Sequence, residues 1–150
     1  MPLVIDASGM IFVLLGRSDE AASLRRRLAA QVCHAPHLID AEVGNVLRRL
    51  VLRASLSVGD AEILLRFGAP LIDHRHQMTG ALARAAWARR QNLSFYDALY
   101  VALAASLGAP LVTADQRLSA APGLGCQVEL VGATSASGDL PVTPCLGPTE

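Results

Sequence analysis

Lysine is absent from this chain of 150 residues, so all thirteen of its basic residues are arginine. The absence excludes the phosphate-binding loop of nucleoside triphosphatases, whose G-x-x-x-x-G-K-[ST] motif needs a lysine to contact the phosphates. It also argues against a phosphoacceptor receiver domain, which uses a lysine to contact the phosphoryl group. The arginines that cluster are Arg25, Arg26 and Arg27, then Arg48, Arg49 and Arg53, and finally Arg89 and Arg90.

An excess of positive charge is also absent, because thirteen acidic residues balance the arginines and the formal net charge is zero. The composition therefore lacks the basic surplus that marks many nucleic-acid-binding proteins. It does not exclude a polyanionic substrate, since a divalent cation held by carboxylates would make the loaded protein cationic. Cysteine is scarce, and Cys33, Cys126 and Cys145 form no C-x-x-C pair, which predicts free thiols.

Long apolar runs are missing as well, although 52% of the residues are hydrophobic. No unbroken run reaches the roughly 18 residues of a membrane helix, and the longest candidate, residues 98–112, is interrupted by Ser106, Gly108 and Pro110. Asp6 enters too early for the apolar region of a secretory signal. These absences predict a cytoplasmic protein without membrane contact, and the length predicts a single domain.

Short apolar runs alternate with helical stretches over residues 1–131, which predicts a domain of the α/β class, a three-layer α/β/α sandwich with a mainly parallel sheet. Residues 132–150 are rich in Gly, Ser, Thr and Pro, which predicts a flexible C-terminal tail. The predicted strands are residues 2–5, 32–36, 71–74, 111–113 and 128–131. The predicted helices are residues 9–15, 18–30, 38–53, 57–67, 79–91 and 94–107.

Four carboxylates stand where these apolar elements begin or end. Asp6 and Asp115 follow predicted strands, whereas Glu42 and Asp97 lie near the starts of two strongly apolar helices. Acidic groups at the ends of buried strands and helices destabilise the fold unless they are solvated, hydrogen-bonded or neutralised by a cation. Because ligands bind at the carboxyl edge of open parallel sheets, we expect the four acids to converge on one crevice there.

Oxygen ligands of this kind suit Mg²⁺, for which Mn²⁺ substitutes, with water and substrate phosphates completing the coordination. Such a site activates a water and stabilises the leaving oxygen of a phosphodiester. The hydroxyls of Ser8 and Thr113, each two positions from an acid, are predicted to orient ligands or waters behind the metal.

Taken singly, each acid also fits a purely structural role. Asp97 forms a loose capping box with Ser94, and Asp6 and Asp115 fit as N-caps of the segments that follow them. Glu42 favours a helix N-terminus by its charge alone. What favours the shared site is the joint placement, because independent caps have no reason to lie at one edge of a sheet.

Two other groupings are weaker hypotheses. The histidine pairs His34 with His37 and His74 with His76 suggest zinc, but no matching third-ligand pattern accompanies them. Cys33 lies beside His34, and adjacent side chains usually point apart, which argues against a thiol nucleophile.

Four motifs follow one another at residues 4–8 (V-I-D-A-S), 42–47 (E-V-G-N-V-L), 94–100 (S-F-Y-D-A-L-Y) and 111–115 (L-V-T-A-D). Together they resemble the PIN-domain nucleases, and most closely the VapC-type toxins of bacterial toxin–antitoxin pairs. The resemblance covers roughly residues 3 to 131. It implies a PIN-like α/β/α fold and a Mg²⁺- or Mn²⁺-dependent endoribonuclease with an acidic quartet. The quartet maps onto Asp6, Glu42, Asp97 and Asp115.

The resemblance further implies a homodimer that cleaves RNA and is inhibited by a small cognate antitoxin. Some relatives carry a further acid after the fourth one, where this chain has Gln116 and Arg117. We therefore predict one firmly held ion, with any second ion recruited together with the substrate. Asp6 and Asp97 are the expected direct ligands, while Glu42 and Asp115 are expected to ligate through water or to position the nucleophile.

Two further expectations concern partners. The early helices carry more apolar surface than a small sheet needs to cover, which favours a groove for an amphipathic antitoxin segment. The alternative function is a catalytically silent PIN-fold module that binds RNA or protein. The residues expected to line the groove are Met10, Ile11, Phe12, Leu14 and Leu15.

Overall fold

A five-stranded sheet, parallel throughout, forms the centre of the molecule, with the strands in the order β3-β2-β1-β4-β5. The computed structural model describes residues 1–133; the predicted tail from residue 134 onward, and Cys145 within it, lie outside the described residues. The strands are β1 (Leu3–Ile5), β2 (Cys33–Pro36), β3 (His74–His76), β4 (Leu111–Thr113) and β5 (Val128–Leu130).

Helices connect the strands and cover the sheet. Right-handed crossovers place α1 to α4 on one face and α5 to α7 on the other, and the packing of α3 on α1 and α4, and of α5 on α6, agrees with this arrangement. Within residues 1–133 no helix is both long and apolar enough to cross a membrane. The helices are α1 (Ala7–Leu15), α2 (Asp19–Ala30), α3 (Leu38–Leu52), α4 (Val58–Gly68), α5 (Gly80–Trp87), α6 (Phe95–Leu107) and α7 (Gln116–Ser119).

The core is built around β1 and α6. All three residues of β1 are fully buried, and so is every residue of α6 from Ala98 to Ala104. Helix α6 packs across β1, β2 and β4, which explains why its sequence is apolar on nearly all faces. The α/β sandwich with a parallel sheet that the sequence predicted is confirmed.

The structure differs most from the prediction in three elements. Strand β3 begins at His74 rather than at residue 71, because Ala69–Leu71 forms a 3-10 turn around Pro70. Helix α5 ends at Trp87, four residues early, and a series of tight turns follows it. Helix α7 was not predicted; it is a single turn capped by Asp115.

The apolar groove expected on the early helices stays a prediction, because four of its five residues, Ile11, Phe12, Leu14 and Leu15, remain partly exposed. Met10 is buried, and Ile11, Phe12 and Leu14 are half-buried against the core, so α1 covers the sheet. Helix α4 carries four more exposed apolar side chains, Val58, Ile63, Leu65 and Phe67, which are between 46% and 69% exposed.

Two leucines of α3 give a matched test of the core. Leu47 is 1% exposed and Leu52 is 67% exposed. Leu47→Ala should lower the free energy of unfolding by about 2–5 kcal/mol, because it removes apolar contacts and leaves a cavity. Leu52→Ala should change it by less than about 0.5 kcal/mol. Urea denaturation measures both, and equal losses would contradict this packing of α3.

Candidate active site at the carboxyl edge of the sheet

The sheet has a crevice between the carboxyl ends of β1 and β4. From β1 the chain crosses toward β2, and from β4 it crosses toward β5, so the connections leave these two neighbouring strands in opposite directions. Such a reversal of strand order opens a ligand-binding crevice above the sheet. Asp6 follows β1 directly, and Thr113 is the last residue of β4.

Asp6 is a buried carboxylate, with 6% of its surface exposed. As the N-cap of α1, its Oδ1 accepts hydrogen bonds from the Gly9 backbone N–H at 2.8 Å and the Ser8 hydroxyl at 2.7 Å. Its Oδ2 accepts a short hydrogen bond from the Thr113 hydroxyl. A Cβ on Gly9 would lie 2.9 Å from both Ile5 Cγ1 and the Val112 carbonyl oxygen, so this close approach requires glycine.

The two predicted hydroxyls meet behind Asp6. Ser8 Oγ and Thr113 Oγ1 are 3.1 Å apart, and Thr113 is completely buried. Ser8 Oγ accepts from the Ala114 backbone N–H at 2.9 Å, and Thr113 Oγ1 accepts from that of Asp115 at 3.0 Å. The hydroxyl pair therefore ties the loop after β4 to the start of α1 and fixes the direction of the Asp6 carboxylate.

Glu42 reaches the site from α3, where the Tyr100 hydroxyl of α6 donates a hydrogen bond of 2.6 Å to its Oε2. Tyr100 lies three residues after Asp97, so the two share one side of α6. Asp97 Oδ2 accepts from the Ser94 hydroxyl at 2.9 Å, and the Asp97 backbone N–H donates to Ser94 Oγ at 3.1 Å, so Ser94 is the N-cap of α6. Sequence reasoning had overlooked Tyr100, although its i+3 spacing from Asp97 was a usable signal.

Burial and mutual repulsion raise the pKa of two of these acids. For Asp6, burial raises the pKa most, Asp97 adds to the increase, and hydrogen bonds from Thr113, Gly9 and Ser8 oppose it. For Glu42, burial again acts most strongly, the Tyr100 hydrogen bond opposes it, and the charges of Asp6 and Asp97 raise the pKa further. No cation within residues 1–133 is among the groups that shift either pKa, so the three carboxylates are electrostatically coupled and without a compensating charge.

Asp115 lies at the same edge, but its side chain turns toward α7. Burial raises its pKa, yet hydrogen bonds from the Arg117 and Leu118 backbone N–H groups and from the Arg117 guanidinium outweigh burial, so the pKa is lowered overall. Its Oδ1 accepts from the Arg117 N–H at 2.8 Å, and its Oδ2 lies 3.5 Å from the Arg117 guanidinium. The structure thus confirms Asp115 as an N-cap and does not couple its carboxylate to the other three.

The donor chemistry around the crevice suits a hard cation, since it consists of carboxylate and hydroxyl oxygens. In the described part of the chain, however, no three Asp, Glu, His or Cys side chains are close enough to hold one ion directly. The shared metal site therefore stays a prediction.

The histidine and cysteine hypotheses are not supported. His34 Nδ1 lies 2.9 Å from His76 Nε2, and the His34 ring stacks on His74 at 4.9 Å, so these rings contact one another across β2 and β3. They form no three-ligand metal group within residues 1–133. Burial raises the pKa of the Cys33 thiol to about 12, which keeps it protonated and unreactive.

Comparison with known proteins gives the family. A family model of the PIN domain matches residues 3–124. The chain belongs to the PIN-domain family. Ribonuclease VapC1 of Mycobacterium tuberculosis (strain ATCC 25618 / H37Rv) is 46% identical over 128 residues, which are 85% of this chain and 96% of that protein.

Two solved structures share the fold of this PIN domain. VapBC2 from Rickettsia felis, bound to a DNA fragment from its promoter, has a TM-score of 0.66 at 12% identity, over 87% of this chain and 98% of that one. VapBC-5 from Mycobacterium tuberculosis, a member of the VapBC family of toxin-antitoxin systems, has a TM-score of 0.54 at 22% identity, over 86% of this chain and 96% of that one.

The burial of Glu42 and its repulsion by Asp6 and Asp97 predict how Glu42→Gln affects stability. The raised pKa of Glu42 means that folding disfavours its ionised form. This destabilisation is present above the folded-state pKa and disappears as the pH falls through it. Without divalent cations, E42Q should be more stable than the parent PIN domain at about pH 8 and equally stable at about pH 4.

Urea denaturation in the presence of EDTA measures this difference. Glu62→Gln, at an exposed position of α4, is the control that removes the same charge away from the crevice. It should show no such gain at the higher pH. A lower stability of E42Q at about pH 8 would mean that folding does not disfavour the ionised form of Glu42.

Proposed function

We propose that this protein is a metal-dependent endoribonuclease and the toxin of a toxin–antitoxin pair, with Mg²⁺ as its cofactor and Mn²⁺ as a substitute. The observation that carries the proposal is the buried Asp6 carboxylate, coupled to Glu42 and Asp97 without a compensating cation. The named ribonuclease at 46% identity supports RNA as the substrate.

In this proposal Asp6 and Asp97 would hold the ion directly, while Glu42 and Asp115 would ligate through water or position the nucleophile. When bound, the ion lowers the pKa of a water molecule and stabilises the leaving oxygen of the phosphodiester. Gln116 and Arg117 follow Asp115 in place of a further acid, which supports a single firmly held ion.

The chain's own residues position the reacting groups. Ser8, Gly9 and Thr113 hold the Asp6 carboxylate in one direction and leave Oδ2 with one further acceptor position. The Tyr100 hydroxyl occupies Glu42 Oε2 and leaves Oε1 available to accept a proton from the attacking water. Because burial raises the pKa of Glu42, this carboxylate is a stronger base than one in open solvent.

A cognate antitoxin is the proposed protein partner. The fold is shared with VapBC-5, a member of a family of toxin-antitoxin systems. The exposed apolar side chains of α4, Val58, Ile63 and Phe67 among them, supply the kind of surface that an amphipathic antitoxin segment covers. The homodimer remains a prediction from the family resemblance.

Asp6→Asn tests the catalytic proposal. The variant keeps the size of the side chain but removes the charge that attracts the ion, so Mg²⁺-dependent cleavage of RNA should fall by more than about 100-fold. Cleavage is followed on total RNA, with the cut sites mapped, and Mn²⁺ binding is measured separately by titration calorimetry.

Asp19→Asn is the matched control, because Asp19 is an exposed acid in the first turn of α2. It should cleave like the parent protein. If the parent shows no Mg²⁺- or Mn²⁺-dependent cleavage of any RNA and binds neither ion, the nuclease proposal fails and the catalytically silent binding module takes its place.

Thr113→Val tests the positioning of Asp6. The change keeps the buried shape but removes the hydroxyl that donates to Asp6 Oδ2, so activity should fall by about 10- to 100-fold. Thr113→Ser, which restores the hydroxyl, should recover most of it. If Val and Ser variants of equal stability are equally active, the hydroxyl has no part in orienting the carboxylate.

A further inference from the structure

Helix α3 carries more than Glu42 on the side that borders the crevice. Asn45, Arg49 and Arg53 follow Glu42 at spacings of three, four and four residues. At 3.6 residues per turn, this spacing keeps all four within an arc of about 80° around the helix. Asn45, Arg49 and Arg53 are all exposed. One side of α3 therefore runs from the acidic site outward as a polar strip that ends in two arginines.

The packing of α3 fixes the direction of this strip. Ile39, Val43 and Leu47 are buried against the rest of the molecule, and they lie about 60° to 140° around the helix from Glu42. Glu42, which accepts the hydrogen bond from Tyr100, is the end of the strip that lies at the acidic site. Arg49 and Arg53 lie about 10 Å and 16 Å farther along the helix axis.

Neither arginine has an ion-pair partner in residues 1–133. The salt bridges there engage Arg27 with Glu129, Arg75 with Asp40, and Arg117 with Asp115. Arginine binds phosphate through a rigid fork of N–H donors. Two exposed guanidiniums without partners on one strip are thus available to an external anion.

The charge of the site creates a need for such a contact. The crevice collects three coupled carboxylates, which repel the phosphates of a polyanion. Attraction must then come from a bound cation or from positive side chains nearby. Arginines within the crevice would neutralise the carboxylates themselves. Arginines a few turns away on the same helix can bind a polyanion without neutralising those carboxylates.

We propose that Arg49 and Arg53 form a phosphate-binding track that guides one flank of a single-stranded RNA toward the crevice. The inference rests on the proposed function, since it names how the substrate of that site is held. The track contacts the backbone and not the bases, so it contributes affinity and register without sequence preference.

Arg48 provides a matched control on the same helix. It is exposed and adjacent to Arg49 in sequence, but it lies about 120° around the helix from Glu42. Any favourable effect of arginine on the C-terminal end of α3 applies to Arg48 and Arg49 alike. A difference between Arg48→Gln and Arg49→Gln therefore reports the direction of the side chain and not its charge alone.

The experiment measures binding separately from cleavage. Fluorescence anisotropy follows the binding of a labelled single-stranded RNA oligonucleotide of mixed sequence to the Asp6→Asn protein over a range of KCl concentrations. Each lost phosphate contact should reduce the slope of log K against log salt by about 0.7, so Arg49→Gln with Arg53→Gln should reduce it by about 1.4. Arg48→Gln should leave the slope nearly unchanged.

Cleavage by proteins that retain Asp6 supplies the second readout. The double variant should raise KM for RNA with little change in kcat, because the arginines bind ground state and transition state alike. Equal effects of Arg48→Gln and Arg49→Gln, or an unchanged salt slope in the double variant, would overturn the track. Absence of RNA cleavage by the parent protein would instead refute the proposed function, so the two failures are distinguishable.

Discussion

The hydrogen bond between the Thr113 hydroxyl and the Asp6 carboxylate is the contact on which the rest of the site depends. It joins the carboxyl ends of β1 and β4, the two neighbouring strands from which the chain leaves in opposite directions. The same carboxylate caps α1 through Gly9, so one side chain fixes a strand end, a helix start and the crevice between them. Asp6 is 6% exposed and Thr113 is completely buried, so this hydrogen bond is shielded from water.

Burial works against this carboxylate, and the geometry around it limits the cost. Three donors, from Thr113, Gly9 and Ser8, stabilise the ionised form of Asp6, yet the net effect on its pKa is upward. Glu42 is in the same position with the single donor Tyr100. Buried carboxylates that keep acceptor capacity and lack a counter-ion are a typical cation-binding arrangement, because a cation relieves both desolvation and repulsion.

Sequence reasoning found the fold and the acids because both follow from local patterns. Strand ends at Asp6 and Thr113 are visible as breaks in apolar runs, and the parallel sheet follows from alternation of strands and helices. The orientation of the Asp115 side chain could not be predicted in this way. The sequence allows the same carboxylate either to cap the following helix or to bind a metal ion. The contact with Arg117 and the one-turn helix α7 identify Asp115 as an N-cap, and both are visible only once the backbone geometry is known.

The zero net charge of the chain hides a separation that matters for a polyanionic substrate. Acids collect where β1, α3 and α6 meet, while α3 places Arg49 and Arg53 beyond them on its exposed side. Since an exposed charge is screened over a Debye length of about 8 Å at physiological salt, the arginines attract phosphates on α3 without cancelling the field at Asp6. The net charge of the chain does not reveal this arrangement, because it depends on which side of α3 faces the buried core.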